Sequence, residues 1–168
     1  MGGCCRTFIF PFRLSSPKPT TVLCFVLAFL FCVINGYMQC RALAVLHSYP
    51  ASWFQKPRTI LGLALFFTGL TLNIHSDNIL FNLRKPGETG YKIPRGGLFE
   101  YVSGANFASE ILEWTGFAIA CWSMEAAAFA LFTAFNIGPR AVHHHRWYKD
   151  KFGSDYPAHR RAVIPFIY

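Results

Sequence analysis

Charge is what this sequence has little of. Only 14% of its 168 residues are Asp, Glu, Lys or Arg, against 53% hydrophobic residues, a balance that argues against an ordinary water-soluble domain. Acidic residues are the scarcest: eight, against sixteen Lys and Arg, for a formal charge of +8. In so apolar a chain, such an excess sets membrane orientation or attracts anionic lipid or a phosphate-bearing ligand. No basic stripe interleaves with aromatics on a soluble surface, which disfavours nucleic acid. None of the six cysteines forms a C-x-x-C pair, and Cys24, Cys32 and Cys40 lie in apolar runs. A zinc site or disulfide framework is therefore not indicated, and packed or free thiols are expected. No G-x-G-x-x-G follows a strand-like run, which excludes a Rossmann site. A signal peptide is missing too, because Pro11, Arg13 and Pro17 interrupt the first apolar stretch. Met1-Gly2 lacks the Ser or Thr at position 6 that myristoylation requires. The chain has no internal repeat.

What is present is apolar sequence in lipid-length pieces. Thr20 to about Met38 carries no charge and is close to the ~20 residues a helix needs to cross the hydrocarbon core. Thr59 to Ile74 is a second such segment, with Gly62 and Gly69 available for close helix packing. Between them Arg41 to Arg58 reads as a loop, with Pro57 as the entry signal for the next helix. Helical spacing continues past Ile74 until Pro86-Gly87 stops it. The linker through Gly96-Gly97 leaves no room for an independent fold. A third helix is predicted over Ala105 to Trp122 and a fourth over Met124 to Ile137. Gly138-Pro139 then breaks the chain before a final helix. The fold class predicted is all-α: a polytopic membrane helix bundle of about four membrane helices plus a C-terminal amphipathic helix, in a single domain over residues 1–168.

Polar residues recur on three helical stripes. Asn73, Asp77 and Arg84 are spaced by four and seven residues, Asn106, Glu110 and Glu113 by four and three, and Arg140, His144 and Tyr148 by four each. Each spacing puts its members on one helix side. A stripe alone is as readily an internal ion-pair network that glues helices together. Three stripes around a Gly-rich basic loop favour a large polar ligand, and a dinucleotide suits them. Amides and carboxylates serve ribose and nicotinamide, and Arg and Lys serve phosphate. The consecutive His143, His144 and His145 fan out by about a hundred degrees each on a helix and do not converge on one metal ion. His75 falls on a different face from Asp77 and reads as structural. Ser76 and Ser103 have no His or Asp placed as a catalytic partner, so nucleophilic catalysis is not expected.

These residues carry a resemblance. Asn73-Ile-His-Ser-Asp77, Leu83-Arg-Lys-Pro-Gly87, Tyr91-Lys-Ile-Pro-Arg-Gly-Gly-Leu-Phe99, Val102-Ser-Gly-Ala-Asn106, Glu113-Trp114, Asp155-Tyr-Pro157 and Ile164-Pro-Phe166 are similar to the C-terminal half of the steroid 5α-reductase family, from about Arg6 to the last residue. Polyprenol reductase and trans-2-enoyl-CoA reductase share the terminal region, but the block from Lys85 to Asn106 resembles the steroid branch more. The resemblance implies a multi-pass endoplasmic-reticulum enzyme that uses NADPH to reduce the 4,5 double bond of a 3-oxo-4-ene steroid. It implies Asn73, Asp77, Arg84, Tyr91, Lys92, Asn106, Glu110, Arg140, His144 and Tyr148 as cofactor-lining positions, with Lys92 replacing an Arg of relatives. Arg160 matches a basic family position of less defined role. The family's N-terminal helices, with the Gln-Glu pair that faces the steroid ketone, have no counterpart here. A family Tyr falls at Gly3, and Phe10 stands where relatives often have Tyr. No catalytic residue is therefore expected in this chain. Three functions follow: a 5α-reductase portion weak or inactive alone, a non-enzymatic form that binds dinucleotide or pairs with a full-length relative, or the same chemistry on an enoyl-CoA or a polyprenol. Steroid and membrane lipid are the other implied partners, and no metal is.

Overall fold

The computed structural model describes residues 21–83, 88 and 90–167. Arg84 and the Pro86-Gly87 stop lie outside the described residues. Among the described residues the architecture is all-helical, with no strand beyond an isolated bridge between Val102 and Arg161. Helix α1 is Val22–Arg41, α2 Pro57–Phe81, α3 Ala105–Cys121 and α4 Met124–Phe152.

Local chemistry sets each boundary. The Thr21 hydroxyl accepts the Cys24 N–H and starts α1, satisfying one of the donors a helix leaves open. Pro57 is the first residue of α2, where its missing N–H costs nothing. Trp122 closes α3 in the left-handed conformation at φ 52°. Ser123 opens α4 by accepting the Ala126 N–H at 3.2 Å. These two residues make the tight turn between α3 and α4.

Among the described residues, two helical segments are long and apolar enough to cross a membrane. Val22–Leu46 joins α1 to a π-helical turn at Ala42–Leu46 with mean hydropathy 2.0, and Pro57–Phe81 has mean hydropathy 1.4. The connection expected as a loop from Arg41 to Arg58 is mostly helical turns, with a 3-10 turn at Ala51–Gln55 after the π turn.

Gly138-Pro139 does not break the chain. α4 runs unbroken for 29 residues with Pro139 inside it, so Arg140, His144 and Tyr148 belong to the fourth helix rather than to a separate one. Proline removes one main-chain donor and crowds the carbonyl four residues back. Here that carbonyl belongs to Phe135, and both Phe135 and Pro139 are exposed, so the missing bond is not sealed inside protein.

α3 is the central helix, packed on α2 along its length and on α4 on another side. Its approach to α2 is set by small residues. A methyl group at Gly69 would run into the Glu113 backbone, and one at Gly116 into that of Phe66, so the helices touch main chain to main chain. α1 has no buried residue and meets α4 through Phe31, which stacks on Phe132 at 4.8 Å, and through Gln39, whose amide donates to the Glu125 main-chain oxygen at 2.9 Å.

The bundle has two different ends. At one, Tyr49 donates to the Cys121 carbonyl, Trp53 to the Ala120 carbonyl, and His47 pairs with Glu125 at 3.0 Å. At the other lie the C-terminus of α2, the start of α3, the polar half of α4, the segment through Gly97–Glu100, and the chain end. That chain end is threaded into the structure: Ser103 N–H donates to Arg161 O, Gly104 N–H to Ala162 O, and Arg161 N–H to Tyr101 O.

Candidate cofactor site

The first two stripes meet across the α2–α3 contact. Asn73 is 3% exposed, and its amide donates to the Asn106 main-chain oxygen at 2.9 Å. Ser109 donates to the same oxygen at 3.0 Å. Asn73 therefore ties α2 to the first turn of α3 and leaves the half-buried Asn106 side chain beside it. Asp77, one turn beyond Asn73, and Glu110, one turn beyond Asn106, are also half-buried, while Glu113 is buried. Ser76 is fully buried on the same side of α2, and its hydroxyl has no hydrogen-bond partner among the described residues.

The third stripe lies on the other side of α3. His144 packs against the Phe107 ring at 5.8 Å, next in sequence to Asn106. Tyr148 stacks on Tyr156 at 5.6 Å with the rings 11° apart. Arg140 is exposed one turn before His144. Tyr91 reaches α4 from the loop, edge-on to Trp147 at 4.7 Å, with the Lys151 ammonium over both rings. Lys92 pairs with Glu88 on the exposed surface. The structure thus gathers Asn73, Asp77, Asn106 and Glu110 on facing helices, sets His144 at their flank, and brings Tyr91 onto the α4 segment that bears Tyr148.

Sequence reasoning missed the side chains that hold this arrangement. Ser103 was expected to lack a His partner, yet its hydroxyl meets His145 Nδ1 at 2.5 Å, Tyr156 OH at 2.6 Å and Arg161 O at 3.2 Å. A hydroxyl has one proton and two lone pairs. The carbonyl can only accept, whereas His145 Nδ1 and Tyr156 OH can each donate or accept, according to the imidazole tautomer and the phenol rotor. The contact with His145 corrects the expectation drawn from spacing. The His triplet divides in the same way: His145 binds Ser103, His144 packs on Phe107, and His143 is exposed.

Arg160 is the most buried cation, 1% exposed. Its Nη1 donates to Pro94 O at 2.8 Å and its Nη2 reaches Glu100 at 3.4 Å, while its Nε has no partner. Glu100 also accepts the Gly96 N–H at 2.5 Å, with Gly96 at φ 93°, a conformation that suits glycine. The Gly96 amide holds the Glu100 carboxyl below its ordinary range, and Arg160 adds to this against the pull of burial. Burial, then Lys149 and Arg161, push His145 down. Burial, then His143 and Arg140, do the same to His144. The only sequence signal for this network was the dense run Tyr156-Pro-Ala-His-Arg-Arg161.

Below the polar residues stands an aromatic wall that spacing did not reveal. Trp114 meets Phe129 edge-on at 4.6 Å, Phe66 lies 6.4 Å from both Trp114 and Phe117, and Phe31 stacks on Phe132. Phe31, Phe66, Trp114 and Phe132 come from four different helices.

The donor set fits a dinucleotide. Half-buried carboxylates and amides can accept from and donate to sugar hydroxyls, and exposed Arg140 with neutral-leaning His144 can meet phosphate. Ser76 Oγ and Arg160 Nε are buried without a hydrogen-bond partner among the described residues, which leaves polar capacity at this end that those residues do not use.

Residues 18–168 match the family model described as 3-oxo-5-alpha-steroid 4-dehydrogenase. The chain is 54% identical over 162 residues to 3-oxo-5-alpha-steroid 4-dehydrogenase 1 of Rattus norvegicus, covering 96% of this chain and 62% of that protein. It is 50% identical over 163 residues to the Homo sapiens type 1 protein, covering 97% and 62%. The type 2 protein of Sus scrofa is 51% identical over 163 residues, covering 97% and 63%. The chain thus spans about three fifths of the length of the curated relatives it matches.

Proposed function

Because this chain belongs to the 3-oxo-5-alpha-steroid 4-dehydrogenase family, we propose that it forms the cofactor-holding part of an NADPH-dependent reductase acting on the 4,5 double bond of 3-oxo-4-ene steroids. The observation that carries this reading is the convergence of Asn73, Asp77, Asn106, Glu110 and His144 around the N-terminal half of α3, above an aromatic wall. When bound, NADPH supplies the two-electron reducing equivalent that the protein lacks. The chain's own residues bind and orient. Asn106, Asp77 and Glu110 take sugar hydroxyls and the carboxamide, and Arg140, His144 and Tyr148 take phosphate. Arg84, outside the described residues, and Lys92 with Tyr91 complete the set. Asn73 acts from behind by fixing the first turn of α3. The cluster of Trp114, Phe129, Phe66 and Phe132 excludes water and offers apolar surface to a hydrophobic substrate.

In this reading the protein is a single four-span domain of the endoplasmic-reticulum membrane. Lys92, Arg95, Arg140, Arg146, Lys149, Lys151, Arg160 and Arg161 lie at the polar end, against Arg41, Lys56 and Arg58 at the other. The positive-inside rule turns the polar end to the cytosol, where NADPH is met. The ketone-polarising groups belong to the part of the relatives this chain does not match, so NADPH binding with little turnover is expected of it alone. The experiment is NADPH titration of the detergent-solubilised chain, together with conversion of testosterone, an enoyl-CoA and a polyprenol in microsomes. Failure to bind NADPH refutes the reading, and preferential turnover of either non-steroid acceptor redirects it.

The bareness of α1 favours a second reading. A helix with no buried residue is suited to seat against a full-length relative. Co-purification of tagged chain with such a relative, accompanied by lower reductase activity, tests it.

A further inference from the structure

Away from the polar end lies a second feature that the proposed reduction does not use. An apolar cleft of about 600 Å³ runs between α3 and α4, lined by Ala118, Ile119, Trp122, Ala127, Leu131 and Ala134 among others. It is on a different side of α3 from the aromatic wall. On a helix Thr115, Ala118, Ile119 and Trp122 share one side, and Trp114 and Phe117 point elsewhere. Its volume falls within the roughly 300–1,000 Å³ of ligand pockets. No charged side chain lines it.

One end of the cleft is different. Trp122, exposed and held at φ 52° in the α3–α4 turn, carries the Arg58 guanidinium 5.0 Å above its ring. Arg58 is half-buried, and its Nε is buried with no hydrogen-bond partner among the described residues. It stands in the first turn of α2, which contains no acidic residue, so the cation and the positive end of the helix dipole add rather than cancel. Glu125, the carboxylate of the neighbouring turn, has Oε2 engaged by His47. An apolar slot ending under an uncompensated cation is complementary to an amphiphilic anion.

We propose that this cleft is a site for an anionic phospholipid of the surrounding bilayer, with one acyl chain along Ala118, Ile119, Ala127, Leu131 and Ala134 and the phosphate on Arg58. The recognition is independent of NADPH and of steroid. Hydrocarbon contact with the slot is open to any lipid, whereas selection for negative charge rests on Arg58. Ser123 at the rim does not supply it, because its hydroxyl is uncharged and hydrogen-bonds the Glu125 carboxylate.

The test uses the full chain purified from equimolar phosphatidylglycerol and phosphatidylcholine nanodiscs, followed by native mass spectrometry under progressive delipidation. The last retained lipid is expected to be phosphatidylglycerol, enriched at least about fivefold over phosphatidylcholine. Arg58→Gln should bring that ratio close to one, Arg58→Lys should keep most of it, and Ala127→Phe should remove the retained lipid whatever its head group. In a second arm, a photoreactive phosphatidylglycerol should label the Trp122–Met124 peptide in the unmutated chain, with competition by phosphatidylglycerol but not phosphatidylcholine. This arm keeps the proposal exposed to failure if a variant does not fold. Equal retention of both lipids, enrichment indifferent to Arg58→Gln, a retained free fatty acid, or a dimer in place of the lipid adduct would each overturn it.

Discussion

Asn73 donates its side-chain amide to the main-chain oxygen of Asn106 across the α2–α3 contact, 2.9 Å away. The two asparagines occupy matching places on their stripes, yet the geometry separates their tasks. One is a buried stitch, and the other is the group the stitch presents.

Asn73→Ala should destabilise the chain by about 1–3 kcal/mol, because it strips a buried polar partner from the main chain. Asn106→Ala should leave the melting temperature close to the parent's and weaken NADPH at least tenfold. Thermal melts and NADPH titration on the same two variants check this. Equal loss of stability in both would show that Asn106 is only packing.

Gly69→Ala and Gly116→Ala should each cost about 1–3 kcal/mol or more, since the added methyl meets backbone that no rotamer can move. The two should be less than additive, because either one already forces α2 from α3. Chemical-denaturant unfolding in mixed micelles measures it. Gly138→Ala, where nothing lies within 4 Å of an added Cβ, is the neutral comparison.

Ser103→Ala should lose about 1–2 kcal/mol and unseat both His145 and Tyr156. Tyr156→Phe in that background should then cost little more, because its phenol has already lost the hydroxyl it meets. A double-mutant cycle by thermal melt reads the coupling.

Acid should weaken the polar end in two stages. The folded chain holds His145 below the ordinary imidazole value of 6.5. The unfolded chain therefore binds the proton first, and stability falls as pH drops through 6.5 towards the folded value. Glu100 is held below 4.5. Its contribution is present above that value and is lost as pH falls through the folded one. His145→Asn should flatten the first stage of a plot of melting temperature against pH, and Glu100→Gln the second. A parent profile flat from pH 7.5 to 4 would remove both assignments.

His144 is held below the ordinary imidazole value by burial, then by His143 and Arg140, and a phosphate placed against it should raise its affinity for a proton. NADPH should therefore bind more tightly at pH 6 than at pH 7.5, and His144→Gln should erase the difference. An unchanged affinity in the parent would place the phosphates away from α4.

The helices were readable because their signals are local. Thr21, Pro57 and Ser123 each punctuate the chain within a few residues of the boundary they set. That Asn73 of the first stripe faces Asn106 of the second follows from spacing, since periodicity marks a shared face, while Arg84 lies outside the described residues. What lay beyond reach was whatever depends on distant partners. Ser103 and His145 are 42 residues apart and Arg160 and Pro94 are 66 apart, and no local pattern links them. Pro139 misled for the opposite reason. Its local signal is strong, but a helix can carry an exposed proline when the orphaned carbonyl has an outlet. The Trp114 wall was hidden because aromatic residues in an apolar run look the same whether they meet one another or lipid.

The continuity of α4 has a mechanical meaning. At 1.5 Å per residue its 29 residues make a rod of about 44 Å, against a hydrocarbon layer of about 30 Å. The rod starts at the Trp122–Ser123 turn, and its far end is clamped: His145 meets Ser103, Tyr148 stacks on Tyr156 and Ala141 is buried. A stiff helix held at both ends moves as one body, so a disturbance at the Trp122 end reaches His144 and Tyr148 only by shifting the whole rod against α3.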